Sequence, residues 1–143
     1  MLARTVSMQD RIAMYNGNAL KIGIFGANCS SGRSATKVPE RWSASWADCL
    51  KLTRIADEAG IDFMLPIGRW KGYGGDTDFH GTTLETVTWA SGLLAATERI
   101  TVFGTVHAPL FNPLIAAKEL VTADHIGQGR LGFGRAGAGA RRA

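Results

Sequence analysis

Two short stretches combine side chains able to bind a small molecule and act on it: Gly68, Arg69 and Trp70 in "PIGRWKGYGG", and Thr105 with His107 in "FGTVHAP". An arginine presents a planar fork of donors that suits a phosphate, a carbonyl-rich ring or another anionic ligand. A histidine can give a proton, take one, or hold a loop in place. Each also has a plainer use. Arg69 suits Asp76 or Asp78 of its own loop as well as it suits a ligand, and His107 taken alone reads as a structural histidine near a helix start.

Other chemistries find little support in the spacing. His80, His107 and His125 stand far apart and form no H-x-H or H-E-x-x-H pattern, so no metal site is expected. The loop "GYGGDTDFHG" is glycine-rich but lacks G-x-G-x-x-G, and neither a phosphate-binding G-x-x-x-x-G-K-[ST] nor a G-x-S-x-G elbow occurs. Its length and glycines read as an ordered binding loop or lid. Trp42, Trp46, Trp70 and Trp89 are not interleaved with a basic stripe, which favours packing over nucleic-acid stacking.

Elements must position these residues, and the chain reads as strand, loop and helix repeated. "KIGIFGAN", the start of "IDFMLPIGRW", and "ITVFGTV" are apolar runs ending in turn residues, as in strands buried on both faces of a parallel sheet. Ser45 with Asp48 predicts one helix start and Gly60 its end; Thr82 with Glu85 predicts a capping box for a second helix. Asn112 followed by Pro113 predicts a third helix, ending at Gly127, after which "GRLGF" opens a fourth strand. Alternating strands and helices imply a parallel α/β fold, either an open doubly wound sheet or a (β/α)8 barrel. Length alone favours the open sheet, since a barrel takes about 250 residues. In both, the strand C-terminal ends make the ligand-facing rim, here Asn28 with Cys29, Gly68 to Trp70, and Thr105 with His107.

Composition bounds the class. The 143 residues are 45% hydrophobic and 20% charged, the balance of one globular domain. Net charge is +4, but Arg135, Arg141 and Arg142 lie in the final stretch and the remainder carries only +1, so neither nucleic acid nor a membrane is expected as a partner. Two cysteines without C-x-x-C spacing and the absence of a long apolar segment predict a cytoplasmic protein with reduced thiols.

From about Lys21 to Phe133 the sequence resembles the bacterial luciferase-like flavin-dependent monooxygenases, most of all the branch with alkanesulfonate, dimethylsulfone and pyrimidine monooxygenases. "GRWKGYGG", "LAATERI" and "NPLIAAKELVTADHIGQGR" carry the likeness. The resemblance reverses the preference for an open sheet and implies the N-terminal part of a (β/α)8 TIM barrel. It divides the chain into an extension over 1–20, a partial barrel over 21–133 that stops at about the fourth strand, and a Gly/Ala/Arg tail over 134–143.

The resemblance further implies reduced FMN at the C-terminal rim, often supplied by a separate NAD(P)H-dependent flavin reductase. Molecular oxygen would be the co-substrate, forming a flavin peroxide that oxygenates a small organic substrate. Gly68 and Arg69 match a pair that touches FMN in pyrimidine-type relatives, and Thr105 matches a threonine ending the third strand. His107, with Trp70 beside the pocket, stands where alkanesulfonate relatives have an arginine, which counts against a sulfonate; Lys71 replaces those relatives' reactive cysteine. Full-length relatives are often homo-oligomers. A deazaflavin-dependent reductase on the same barrel and a non-catalytic half-barrel that dimerises are the alternatives.

The family continues the fourth strand with an asparagine where this sequence has Gly134. Beyond it only Gly, Ala and Arg follow, all with GC-rich codons. The expectation is a reading frame shifted near Phe133 or a broken gene copy, with a tail that is disordered or frameshifted and a chain inactive by itself.

Overall fold

The computed structural model describes Ser7 and residues 11–136. Four strands, β1 (Gly23–Phe25), β2 (Phe63–Leu65), β3 (Thr101–His107) and β4 (Leu131–Ala136), form one sheet in the order β1-β2-β3-β4 with every pair parallel. The helices α1 (Trp46–Glu58), α2 (Thr86–Ala95) and α3 (Pro113–Ile126) connect them, and α2 packs against both α1 and α3. A doubly wound sheet reverses its strand order at a switch point and carries helices on both faces. Here the order never reverses and the helices share one layer, which is the wall of a barrel.

The core lies between sheet and helices. Met64 and Val102 from the strands meet Cys49 and Ala56 of α1 and Trp89, Ala90, Leu93 and Leu94 of α2. On the opposite face the Phe63 ring covers Gly23 and the Phe103 ring covers Gly132, where any Cβ would collide with the aromatic ring. Phe63 and Phe103 meet edge to face with centroids 5.8 Å apart, and Phe25 beside them is 45% exposed. That face is the inner lining of the barrel wall.

Local chemistry sets most helix ends. Ser45 caps α1 by accepting from Asp48 N at 3.1 Å, and Gly60 leaves it with φ +79°. Asn112 caps α3 through Leu114 N at 2.9 Å with Pro113 in the first turn. The second helix departs from expectation: Thr82 is not its cap. Backbone groups of Thr82 and Leu84 are bonded to Ser30 and Asn28, and Thr83 bridges to Cys29, so this stretch is held as an arm against the β1 loop. The helix starts later, at Glu85, whose carboxylate accepts from Val87 N and Thr88 N at 2.9 and 2.7 Å.

Residues 11–20 pack onto the sheet, with Ile12 1% exposed, Ala13 N bonded to Arg99 O at 2.9 Å, and Asp62 accepting from Asn16 Nδ2 and Ile22 N. They close the end of the sheet where β3 and β4 begin. Strand β4 runs through Ala136, past the boundary at Phe133, by pairing with β3 up to His107. Residues 137–143, the rest of the expected tail, lie outside the described residues.

Arg130, 4% exposed, joins the two later units. Its Nε donates to Gly127 O at 2.9 Å, Nη1 to Thr97 Oγ1 and Ile100 O at 3.0 and 3.2 Å, and Nη2 to Leu94 O and Thr97 O at 2.7 and 2.8 Å. All five guanidinium donors are used, mostly on carbonyls at the negative ends of α2 and α3. Burial pushes its pKa down, and Asp57 nearby counters that. Asp57 in turn receives the N–H groups of Glu98, Arg99 and Ile100. Replacing Arg130 with Met leaves several buried carbonyls without donors, at about 1–3 kcal/mol each. Urea unfolding of Arg130→Met should show a loss of at least about 3 kcal/mol, and Arg130→Lys, with three donors on one atom, should recover less than half of it.

Candidate functional site

The ends of β2 and β3 open into a cavity of about 230 Å³. Gly68, Arg69, Trp70, Thr105 and His107 all line it, so residues from two separate stretches of sequence share one concavity. Thr83, Glu85, Thr86 and Phe111 complete its wall.

Arg69 pairs with neither Asp76 nor Asp78. Asp76 is held by Lys37 at 3.0 Å, and Arg69 instead lies over the Tyr73 ring, 4.1 Å from its centroid, donating from Nη2 to the Tyr73 hydroxyl at 2.7 Å. Its Nε is buried and has no hydrogen-bond partner. Gly68 is closely approached: a Cβ there would stand 3.0 Å from Thr105 Cγ2 and 3.1 Å from His107 Cε1, tighter than ordinary contact. Trp70 donates from Nε1 to His107 Nδ1 at 3.1 Å, and its ring centroid lies 6.2 Å from that of Phe111. Gly134 of β4 sits opposite Thr105, and a Cβ there would lie 2.8 Å from the threonine hydroxyl.

Glu85 and Thr86 escaped the sequence reading, which placed Glu85 inside a capping box. As the cap itself, Glu85 is anchored at the cavity edge. Burial pushes its carboxyl up, but the N–H groups of Thr88 and Val87 and the neighbouring hydroxyls outweigh this and hold it below the ordinary value of 4.5. Thr86 donates from Oγ1 to Thr105 O at 2.5 Å and accepts from Thr105 N at 3.1 Å, fixing the end of β3 to the start of α2. The signal was an acidic residue directly before a threonine-rich helix start.

The rim residues of β1 serve structure. Asn28 is fully buried, donating to Ile67 O and Leu84 O at 2.9 and 3.2 Å and accepting from Ile67 N at 2.8 Å. It pins the β1 loop to the ends of β2 and the α2 arm, outside the cavity lining. Cys29 is fully buried, and burial, opposed by Arg69 and reinforced by Cys49, pushes its thiol up to about 11. His80, 1% exposed, meets Gly32 O through Nε2 at 2.7 Å and joins the first two rim loops. Among the described residues no group of three or more His, Cys, Asp or Glu side chains could hold a metal ion, and no helix is long and apolar enough to cross a membrane.

The family model of luciferase-like monooxygenases matches residues 20–142. The pyrimidine monooxygenase RutA of Methylorubrum populi is 32% identical over 118 residues, covering 82% of this chain and 31% of that protein. Among solved structures, the monooxygenase RslO1 from Streptomyces bottropensis superposes with a TM-score of 0.63 at 26% identity, over 81% of this chain and 32% of its own. The riboflavin lyase RcaE, solved with modified FMN and riboflavin, superposes with a TM-score of 0.70 at 21% identity, over 83% and 30%. The chain thus spans about a third of the length of these relatives.

Two outcomes test this electrostatic description. Cys29 and Cys49, both buried and free, should resist a thiol reagent at pH 7–8 until the chain is unfolded by denaturant, and then react together. Glu85 carries a folded pKa below its unfolded value of 4.5, so its contribution is complete above about pH 4.5 and disappears as pH falls through the folded value. In urea unfolding across pH 3–7, Glu85→Ala should cost roughly 1 kcal/mol at pH 7, as for other lost helix caps, and progressively less toward pH 3.

Proposed function

Because the chain belongs to the luciferase-like monooxygenase family, we propose that its cavity is one wall of the flavin site of an FMN-dependent monooxygenase acting on a small organic substrate. One observation carries the reading: Arg69 places a buried Nε without a partner at a cavity whose glycine and threonine neighbours leave its walls open. A buried donor left unsatisfied costs about 1–3 kcal/mol, which an electron-rich ligand atom would recover.

In this reading Gly68, Arg69 and Thr105 hold the flavin, while Trp70 and His107 face the substrate. Reduced FMN bound there would supply two electrons to molecular oxygen, one oxygen atom entering the substrate and the other leaving as water. The residues of this chain orient the partners and exclude water, with Trp70 and Phe111 as the apolar part of the wall. A separate NAD(P)H-dependent reductase would deliver the flavin reduced, and the complete enzyme would be a homo-oligomer. A pyrimidine, as named for the relatives, fits His107 better than a sulfonate does, since an imidazole replaces a guanidinium.

A cavity of about 230 Å³ is smaller than the roughly 300–1,000 Å³ of a complete small-molecule site. We therefore expect FMN to bind the 143-residue chain weakly. The decisive experiment is a chimera in which residues 20–136 replace the matching segment of the Methylorubrum populi enzyme. Retained FMN binding and oxygenation of the relative's pyrimidine substrate support the reading, with Arg69→Met in the chimera weakening FMN at least tenfold. A folded chimera that binds FMN no better than the chain alone overturns it.

A further inference from the structure

We infer that His107 serves this cavity as a hydrogen-bond donor, its proton held on Nε2 by the indole of Trp70, and that the group it meets is the acceptor edge of an imide- or lactam-type ring. The first part follows from donor and acceptor inventory. An indole N–H can only donate, so the 3.1 Å bond from Trp70 Nε1 requires a lone pair on His107 Nδ1. A neutral imidazole carries one N–H, and with Nδ1 accepting it resides on Nε2. The Nε2 edge of the ring is turned toward Gly68, with Nε2 3.5 Å and Cε1 3.1 Å from where a Gly68 Cβ would stand. Among the described residues no protein acceptor meets Nε2. A neutral His107 has thus spent its only lone pair on Trp70, and it cannot accept a substrate proton without giving up that bond.

The second part follows from what the other polar groups at the cavity are doing. Both Glu85 carboxylate oxygens are taken by the N–H groups of α2, and the Thr86 hydroxyl is donated to Thr105 O. Among the described residues, His107 Nε2 and the buried Arg69 Nε are N–H groups at the cavity that meet no protein acceptor. Two such donors side by side suit a ligand edge bearing carbonyl oxygens or lone-pair ring nitrogens. The pyrimidinedione portion of a flavin and a free pyrimidine share that chemistry. This ligand assignment rests on the flavin-site reading above, whereas the position of the proton on His107 does not.

The tautomer is read directly from long-range proton–nitrogen correlation spectra of the 15N-labelled 143-residue chain at neutral pH, with His107→Asn used to assign the ring. The expected pattern is a protonated Nε2 and a lone-pair Nδ1 whose resonance moves when Trp70→Phe removes its donor. A proton on Nδ1, or an Nδ1 resonance unmoved in Trp70→Phe, overturns the inference. The ligand class is tested by titrating FMN and, separately, uracil into the chimera carrying residues 20–136 and into two variants of it. His107→Gln keeps an N–H near the place of Nε2, and His107→Asn keeps an acceptor near Nδ1 but extends no donor to the cavity. Binding within about threefold of the unsubstituted chimera for Gln and weakened about five- to tenfold for Asn is expected, the size of one hydrogen bond. The ligand that shows this ranking identifies the source of the acceptor edge. The reverse ranking overturns the donor role. Equal affinity of both variants and the unsubstituted chimera for each ligand overturns the ligand class and leaves the flavin-site reading standing, and the spectra decide the tautomer independently.

Discussion

A buried guanidinium with no room for error organises the lower end of this fold. Arg130 spends every donor it has on Leu94, Thr97, Ile100 and Gly127, groups that belong to the ends of two helices and the approach to β3. Burying a charge is costly unless its hydrogen bonds are complete, so this residue tolerates only one relative placement of α2, α3 and the two strands they precede. Asp57 reinforces the same turn from the side of α1. The β3 and β4 register follows, and with it the height at which Thr105, His107 and Gly134 reach the opposite rim.

At that rim a second pin does the corresponding job. Asn28 ties the β1 loop to Ile67, immediately before Gly68, and to Leu84, immediately before Glu85. The cavity is therefore framed by backbone positions that buried amide bonds hold, while Arg69 and His107 are steadied by aromatic neighbours, Tyr73 and Trp70. Rigid placement of a few polar groups on strand ends is what lets one barrel architecture carry different chemistries.

The inner sheet face shows how the wall is prepared for a closed barrel. Phe63 and Phe103 lie over glycines of the neighbouring strands, the large-against-small filling expected where side chains from several strands share one lumen. The described residues supply one side of that lumen, in keeping with a chain that spans about a third of its relatives.

By itself the sequence determined the repeating strand–helix order, the caps at Ser45 and Asn112, the turn at Gly60, and the candidate residues Gly68, Arg69, Trp70, Thr105 and His107. Those signals are local: a cap, a turn or a strand end depends on residues only a few positions apart. Tertiary structure alone decided what each group does with its hydrogen bonds. Thr82 lost its helix-cap role because the β1 loop claimed its backbone, and Glu85 took that role over. Cys29 and Asn28, at the same strand end as the candidate residues elsewhere, proved buried. Arg69 turned to Tyr73 and away from the acids of its own loop, and His107 met Trp70 across 37 positions of sequence. A hydrogen bond is satisfied by whichever partner the fold brings within about 3 Å, and no spacing along the chain reveals which partner that will be.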